Sequence, residues 1–222
     1  MFIMKKYLSA SVMCADLMNL AYSIKELEKA GIDYIHFDIM DGDFVPNITL
    51  GFDLLNAVKK ITKIPLDVHM MVNDPSKFID LMNLDENDII CIHYEADVHA
   101  HRTLAKIKEK GCKAGLAINP GTPLSAFEYL KDYLDMALIM TVSPGFAGQK
   151  IFAGAERKIR DARAMLGNDI LIETDGNMSV ANGVMASNAG ADIFVLGTSS
   201  LFLKDKDIVT AANDFRAALQ EG

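Results

Sequence analysis

The chain reads as an α/β protein of the (β/α)8 barrel class, the TIM barrel, and three features of the sequence carry that reading. Eight short runs are too apolar to have a wet face, segments with apolar residues three and four apart lie between them, and Lys-Gly or Ala-Gly pairs end several of those segments at Gly31, Gly111 and Gly190. Strands buried on both faces and alternating with helices describe a parallel sheet covered by helices. Eight such units of roughly 25 to 30 residues close the sheet into a barrel. A chain of 222 residues is long enough for one such domain, and the absence of a linker or low-complexity tract places it over residues 1–222.

The elements follow in order. Residues 7–12 form the first strand. Asp16 caps a helix whose apolar face is Leu17, Leu20, Ala21, Ile24 and Leu27, with Lys25, Glu26, Glu28 and Lys29 on its solvated side. The second strand covers residues 35–40 and precedes a helix over 54–60. The third covers 65–71 and leads through the turn Asn73-Asp74-Pro75 into a helix over 75–82. Strands over 88–93, 114–119, 136–142, 169–175 and 193–197 then alternate with helices over 101–110, 123–131, 155–165, 180–189 and 205–219.

Composition narrows the function classes. Half of the residues are hydrophobic, which suits a doubly covered sheet. A net charge of −8 argues against a nucleic-acid or anionic-membrane surface, although a pocket of backbone amides can still hold a phosphate. No stretch is long and apolar enough to span a membrane, and Met1 to Lys6 reads as a lead-in to the first strand rather than a secretion signal. The three cysteines, Cys14, Cys91 and Cys112, have neither an even count nor metal-ligand spacing, so the expectation is a reducing, cytoplasmic setting with small buried thiols.

Barrel chemistry belongs at the carboxyl ends of the strands. His36, Asp38 and Met40 share one face of the second strand, while Ile35, Phe37 and Ile39 share the other. A buried carboxylate needs a partner, and His36 alone could supply one. Ser11, His69, His93, Asn119 and Asp175 end other strands at the same mouth. Together His36, Asp38, His69 and Asp175 offer two imidazoles and two carboxylates from three strands, a donor set for one divalent metal per chain, zinc first, with manganese, iron or cobalt as alternatives. His93, beside Glu95, is expected to sit behind the ligands rather than among them. Glycine-rich loops follow the sixth and eighth strands: Ser143-Pro144-Gly145-Phe146-Ala147-Gly148-Gln149 and Gly197-Thr198-Ser199. With Gly176 and Asn177 between them, these loops suggest one phosphate site built from backbone amides.

These motifs have a family. His36-Phe-Asp-Ile-Met-Asp-Gly, Phe44-Val-Pro-Asn, His69-Met-Met-Val, Asn119-Pro-Gly-Thr-Pro, the run from Met140 to Gln149, and Thr174-Asp-Gly together resemble the ribulose-phosphate 3-epimerases in order and spacing. The resemblance implies a ribulose-phosphate-binding type of barrel. It also implies a metal on His36, Asp38, His69 and Asp175, with Ser11 and His69 beside the substrate and the glycine-rich loops on its phosphate. The reaction implied is inversion at carbon 3 of a small-molecule ketose phosphate, with Asp38 and Asp175 as the two proton-handling groups on either side of a metal-stabilised enediolate. Met40, Met71 and Met140 would pack on that intermediate as a polarisable, water-excluding wall. The family further implies a homo-oligomer.

Ala147, Asn177 and Thr198-Ser199 depart from the usual pentulose pattern and look more like the allulose-6-phosphate 3-epimerase branch, as does Ser11-Val-Met-Cys. A modest preference for the six-carbon sugar is therefore expected, and Asn177 could restrict the approach of backbone to phosphate. A catalytically inactive sugar-phosphate-binding barrel is the alternative. Retention of all four ligand positions and both acid–base positions speaks against it. Asp43, just past the ligand strand, has no evident task in the sequence.

Overall fold

A computed structural model of the chain describes residues 5–221, so the first four residues of the lead-in lie outside the described region. Among the described residues nine strands occur in chain order: β1 (Tyr7–Ser11), β2 (Tyr34–Asp41), β3 (Ile48–Thr49), β4 (Leu66–Met71), β5 (Ile89–His93), β6 (Lys113–Ile118), β7 (Met136–Met140), β8 (Leu171–Asp175) and β9 (Ile193–Leu196). Eight of them run parallel and close into a ring, because β1 pairs with both β2 and β9. This is the (β/α)8 barrel. The ninth, β3, is a two-residue antiparallel strand on β2 that the sequence did not reveal.

Side chains alternate between two cores, as the pleat requires. Ile35, Phe37 and Ile39 point outward into the layer between strands and helices, with Leu66, Val68, Leu116 and Ile139. Tyr34, Cys91, Ala117, Leu138 and Met140 belong to a smaller apolar cluster inside the ring. Each Leu or Ile buried in the outer layer contributes about 1.5–3 kcal/mol of transfer free energy.

Six α-helices form the coat: α1 (Leu20–Lys29), α2 (Phe52–Ile61), α3 (Ala100–Glu109), α4 (Ala155–Leu166), α5 (Val180–Ala189) and α6 (Ile208–Glu221). Gly190 stops α5 at φ 110°, a backbone state that a side chain disfavours. The first helix begins later than expected. Asp16 caps a separate 3-10 turn through Met18 N, and Leu17 is half exposed, so the buried face of α1 is Leu20, Ser23, Ile24 and Leu27. The last helix starts at Ile208 rather than 205, where Asp207 accepts a hydrogen bond from Thr210 N.

Two expected helices are absent. Residues 75–82 form two 3-10 turns, Pro75–Lys77 and Ile79–Leu81, and residues 123–131 contain a 3-10 turn at Leu124–Phe127. Segments of eight or nine residues barely repay helix nucleation. In the first, the Asn56 side chain receives Asn83 N–H and donates to Leu81 O, which ends the segment. In the second, Lys158 on α4 donates to the carbonyls of Asn119, Pro120 and Thr122, pinning the lead-in to an extended path.

Candidate metal and sugar-phosphate site

Strand register builds the site. The pairs Ser11↔His36, His36↔Asp67, Asp38↔His69 and Met140↔Asp175 are direct neighbours in the ring, so polar residues two apart on each strand converge at the carboxyl-terminal mouth. Above them opens a cavity of about 320 Å³, lined by Ser11, Asp38, Met40, Met71, Met140 and Asp175 from the strand ends. The loops after β7, β8 and β9 supply the rest of its wall, including Gly145, Phe146, Ala147, Gly148, Gly176, Asn177, Gly197, Thr198 and Ser199. His36 and His69 lie fully buried at its floor.

The geometry of the floor suits a small divalent ion. His36 Nε2 lies 3.3 Å from both Asp38 Oδ1 and His69 Nδ1. Asp175 Oδ2 is 3.6 Å from His69 Nδ1 and 3.9 Å from His36 Nε2. Ligand atoms at about 2.0–2.1 Å from a tetrahedral ion are separated by roughly 3.3 Å, so the cluster is already close to that size. Asp38 and Asp175 also face the cavity, which leaves the ion position open toward a bound molecule.

Neighbouring groups set the tautomers. His36 Nδ1 donates to Asp67 Oδ2 at 2.6 Å, which aims Nε2 at the cluster. His69 Nε2 is 2.8 Å from His93 Nε2, and His93 Nδ1 donates to Glu95 Oε2 at 3.2 Å. Proton donation therefore runs from His69 through His93 to Glu95, and His69 presents Nδ1 to the cluster. Glu95 also accepts from Asn119 N and from the Thr122 hydroxyl. Burial, only partly offset by Glu95, brings His93 down to about 4, so this ring is neutral. Burial would raise Glu95, but His93, Thr122 and two backbone amides outweigh it and hold the carboxyl at about 2.

The two carboxylates are pushed apart. Burial opposes ionisation of Asp38, but the charge and hydrogen bonds of His36 win and hold its carboxyl far below the usual range. Ser11 Oγ donates to Asp38 Oδ2 at 2.7 Å. Asp175 goes the other way, raised by burial and then by the Asp38 charge, against the pull of His36. Asp38 is thus held ionised, and Asp175 is the more readily protonated of the two.

The glycine-rich loops after β7, β8 and β9 meet along one wall of the cavity. Gly176, at φ 118°, is forced: a Cβ there would lie 2.6 Å from Val142 Cγ2 and 2.8 Å from Thr141 Oγ1. Thr141 Oγ1 hydrogen-bonds to the carbonyls of Asp175 and Gly176, fixing the end of β8 against β7. Asn177 adopts φ 50°, an uncommon state for a non-glycine residue.

Other residues are placed elsewhere. Asn119 and His93 do not line the cavity; both belong to the support behind it. Asp43 accepts from Asn73 Nδ2 while Asp41 accepts from Asn73 N, so the pair joins the loops after β2 and β4. Asp67 and Glu173, both fully buried beneath His36, were missed in the sequence. Burial, followed by the charge of Asp67, raises Glu173 well above the usual carboxylate range. The signal was present: Asp67 stands two residues before His69 and Glu173 two before Asp175, the same spacing that joins His36 to Asp38.

Comparisons with known proteins agree with this geometry. A model of the Ribulose-phosphate 3 epimerase family matches residues 7–202. The chain belongs to that family. It is 42% identical to the ribulose-phosphate 3-epimerase of Bacillus subtilis over 193 residues, covering 85% of this chain and 89% of that one. The Methanocaldococcus jannaschii ribulose-phosphate 3-epimerase is 41% identical over 217 residues, 96% of this chain and 91% of its own. The fold extends further, to a mutant tryptophan synthase α-subunit from Pyrococcus furiosus at a TM-score of 0.70 and 14% identity, with 99% and 100% of the two chains covered. This chain is accordingly an epimerase, of the isomerase class. Its His and Asp cluster can hold a divalent metal, and no helix among its described residues is long and apolar enough to cross a membrane.

Proposed function

We propose that this epimerase inverts carbon 3 of a ketose phosphate by proton transfer at two faces, with Asp38 and Asp175 as base and acid. The observation that carries the reading is the placement of these two carboxyls, from β2 and β8, at one cavity above two buried imidazoles. Asp38, held ionised, takes the proton from carbon 3. Asp175, disposed to hold a proton, delivers it to the opposite face, and the reverse reaction exchanges their roles. A divalent cation on His36, Asp38, His69 and Asp175, zinc first on donor type, supplies when bound the positive charge that offsets the enediolate oxygens. Ser11 orients Asp38. Met40, Met71 and Met140 exclude water from the reacting carbons, slowing loss of the transferred proton to solvent. The phosphate end lies on the loops after β7, β8 and β9.

The names of the relatives support ribulose 5-phosphate as substrate and the pentose phosphate interconversions as the setting. A six-carbon reading rests on particular residues. Ala147, Asn177, Thr198 and Ser199 all line the cavity where the extra carbon of allulose 6-phosphate would move the phosphate. A cytoplasmic location belongs to the same proposal and is supported by three free cysteines.

Turnover of both sugars by one metal-loaded preparation tests substrate and mechanism together. Asp175→Asn and Asp38→Asn should each reduce kcat by at least about 100-fold, the scale of a lost general acid or base. Near-normal turnover in either variant would overturn the two-base assignment. Equal kcat/KM on the two sugars would remove the six-carbon preference and leave the epimerase chemistry intact.

A further inference from the structure

The Thr141 hydroxyl joins the roots of the loops after β7 and β8, and a second side chain fastens the far part of the β7 loop. Asn177 Nδ2 donates to Gln149 O at 2.6 Å. Gln149 Nε2 in turn donates to Ser143 O at 2.6 Å and Phe146 O at 2.9 Å, folding residues 143–149 onto themselves. On the far side, Asn47 Nδ2 holds Gly145 O at 2.8 Å.

Asn177 is itself held. Its carbonyl accepts from Asn182 Nδ2 at 2.7 Å and from Ser179 N at 2.8 Å, at the start of α5. Its φ of 50° turns the side chain off the β8 direction, at a cost that asparagine bears better than most residues. Among the described residues, the N–H groups of Gly148 and Asn177 donate to no protein acceptor, and both residues line the cavity. Glycine at 177 could follow the same backbone path but could not reach Gln149.

We propose that Asn177 is a positioning residue that fixes the spacing between the two sets of anion-binding amides, and thereby the grip on the phosphate of the substrate. This rests on the reading that the cavity takes a ketose phosphate. The residue that departs from the usual pentulose pattern therefore does not obstruct the anion. It replaces backbone freedom with a cross-loop tie, which acts on phosphate affinity and, through the fixed distance to Asp38 and Asp175, on the substrate length the site accepts.

The test is Asn177→Gly, which keeps the backbone state and removes the tie, beside Asn177→Asp, which sets a carboxylate against the Gln149 carbonyl. In Asn177→Gly, KM for the better ketose phosphate should rise about tenfold, the scale of one lost hydrogen bond. The inhibition constant of inorganic phosphate should rise in the same proportion, with kcat within about twofold and bound metal unchanged. Asn177→Asp should weaken both further, because its charge also opposes the anion. Unchanged KM and phosphate inhibition in Asn177→Gly, or a loss confined to kcat, would overturn the proposal. If the unmodified protein turns over no ketose phosphate, the epimerase reading fails separately, and calorimetric binding of inorganic phosphate still decides the tie: weakening in Asn177→Gly supports it, and equal binding overturns it.

Discussion

His93 shows what a single buried ring does for this site. It stacks on His69, lies tilted against Phe44, does not line the cavity, and passes the orientation of Glu95 to His69. Its folded-state value of about 4 lies below the unfolded 6.5, so the unfolded chain binds the extra proton between those values. Its contribution to stability is complete above pH 6.5 and is lost as the pH falls toward 4. Glu173, raised by burial, changes stability in the opposite sense, so the informative quantity is a difference between proteins. The stability advantage of the unmodified chain over His93→Gln, measured by thermal unfolding after chelation, should shrink steadily from pH 6.5 to 4. A constant advantage across that window would mean that His93 is not held neutral. Residues such as His36 and Asp38 were legible because a strand period of two makes neighbours of them. Asp67 and Glu173 obey the same period, yet a lone carboxylate inside an apolar run gives no sign of its partner until the register of two strands is known.

At the level of elements, α5 and α6 meet through a glycine. A Cβ on Gly183 would stand 2.2 Å from Phe215 Cζ, and Phe215 is buried against Phe194 with ring centroids 6.0 Å apart. Gly183→Ala gains about 1 kcal/mol of helix propensity but overpacks a fixed ring at a cost of roughly 1–3 kcal/mol. The clash wins. The expected outcome is a Tm lower by about 2–4 °C with kcat unaltered, since a change near 1 kcal/mol moves a chain of this size by that amount. An unchanged or raised Tm would show that Phe215 can move aside. Helix α5 was legible to the residue over 180–189 from its spacing and the Gly190 stop, and the structure adds a Ser179 cap. The 75–82 and 123–131 segments have helical spacing too, but their ends are decided by Asn56 and Lys158, which are distant in sequence and donate to the local carbonyls. Apolar periodicity reports which face is buried, and a 3-10 turn can bury the same face.

For the molecule as a whole, the floor of the barrel concentrates more buried carboxyl groups than imidazoles. Asp38, Asp67, Glu173 and Asp175 surround two histidines in a region with little access to water. Divalent metal should therefore stabilise the entire barrel: a ligand that binds only the folded chain at 100 times its dissociation constant adds about 2.7 kcal/mol. Chelated protein should show a higher Tm on adding zinc or manganese, and His69→Ala should lose both the shift and the bound ion on elemental analysis. A metal-induced shift of equal size in His69→Ala would place the ion elsewhere.

The ring closes at the two ends of the chain. β1 sits between β2 and β9, and Lys6 Nζ reaches Ala191 O across 185 positions. During synthesis β2 and β4 can pair early and bring His36, Asp38 and His69 together, while Asp175 on β8 and the last strand are still to be made. Three of the four candidate ligands thus assemble on an open sheet whose first strand has one edge unpaired. The fourth candidate ligand arrives only with β8, and the ring closes only when β9 reaches β1, so the reactive arrangement and the closed barrel both depend on the last strands of the ring.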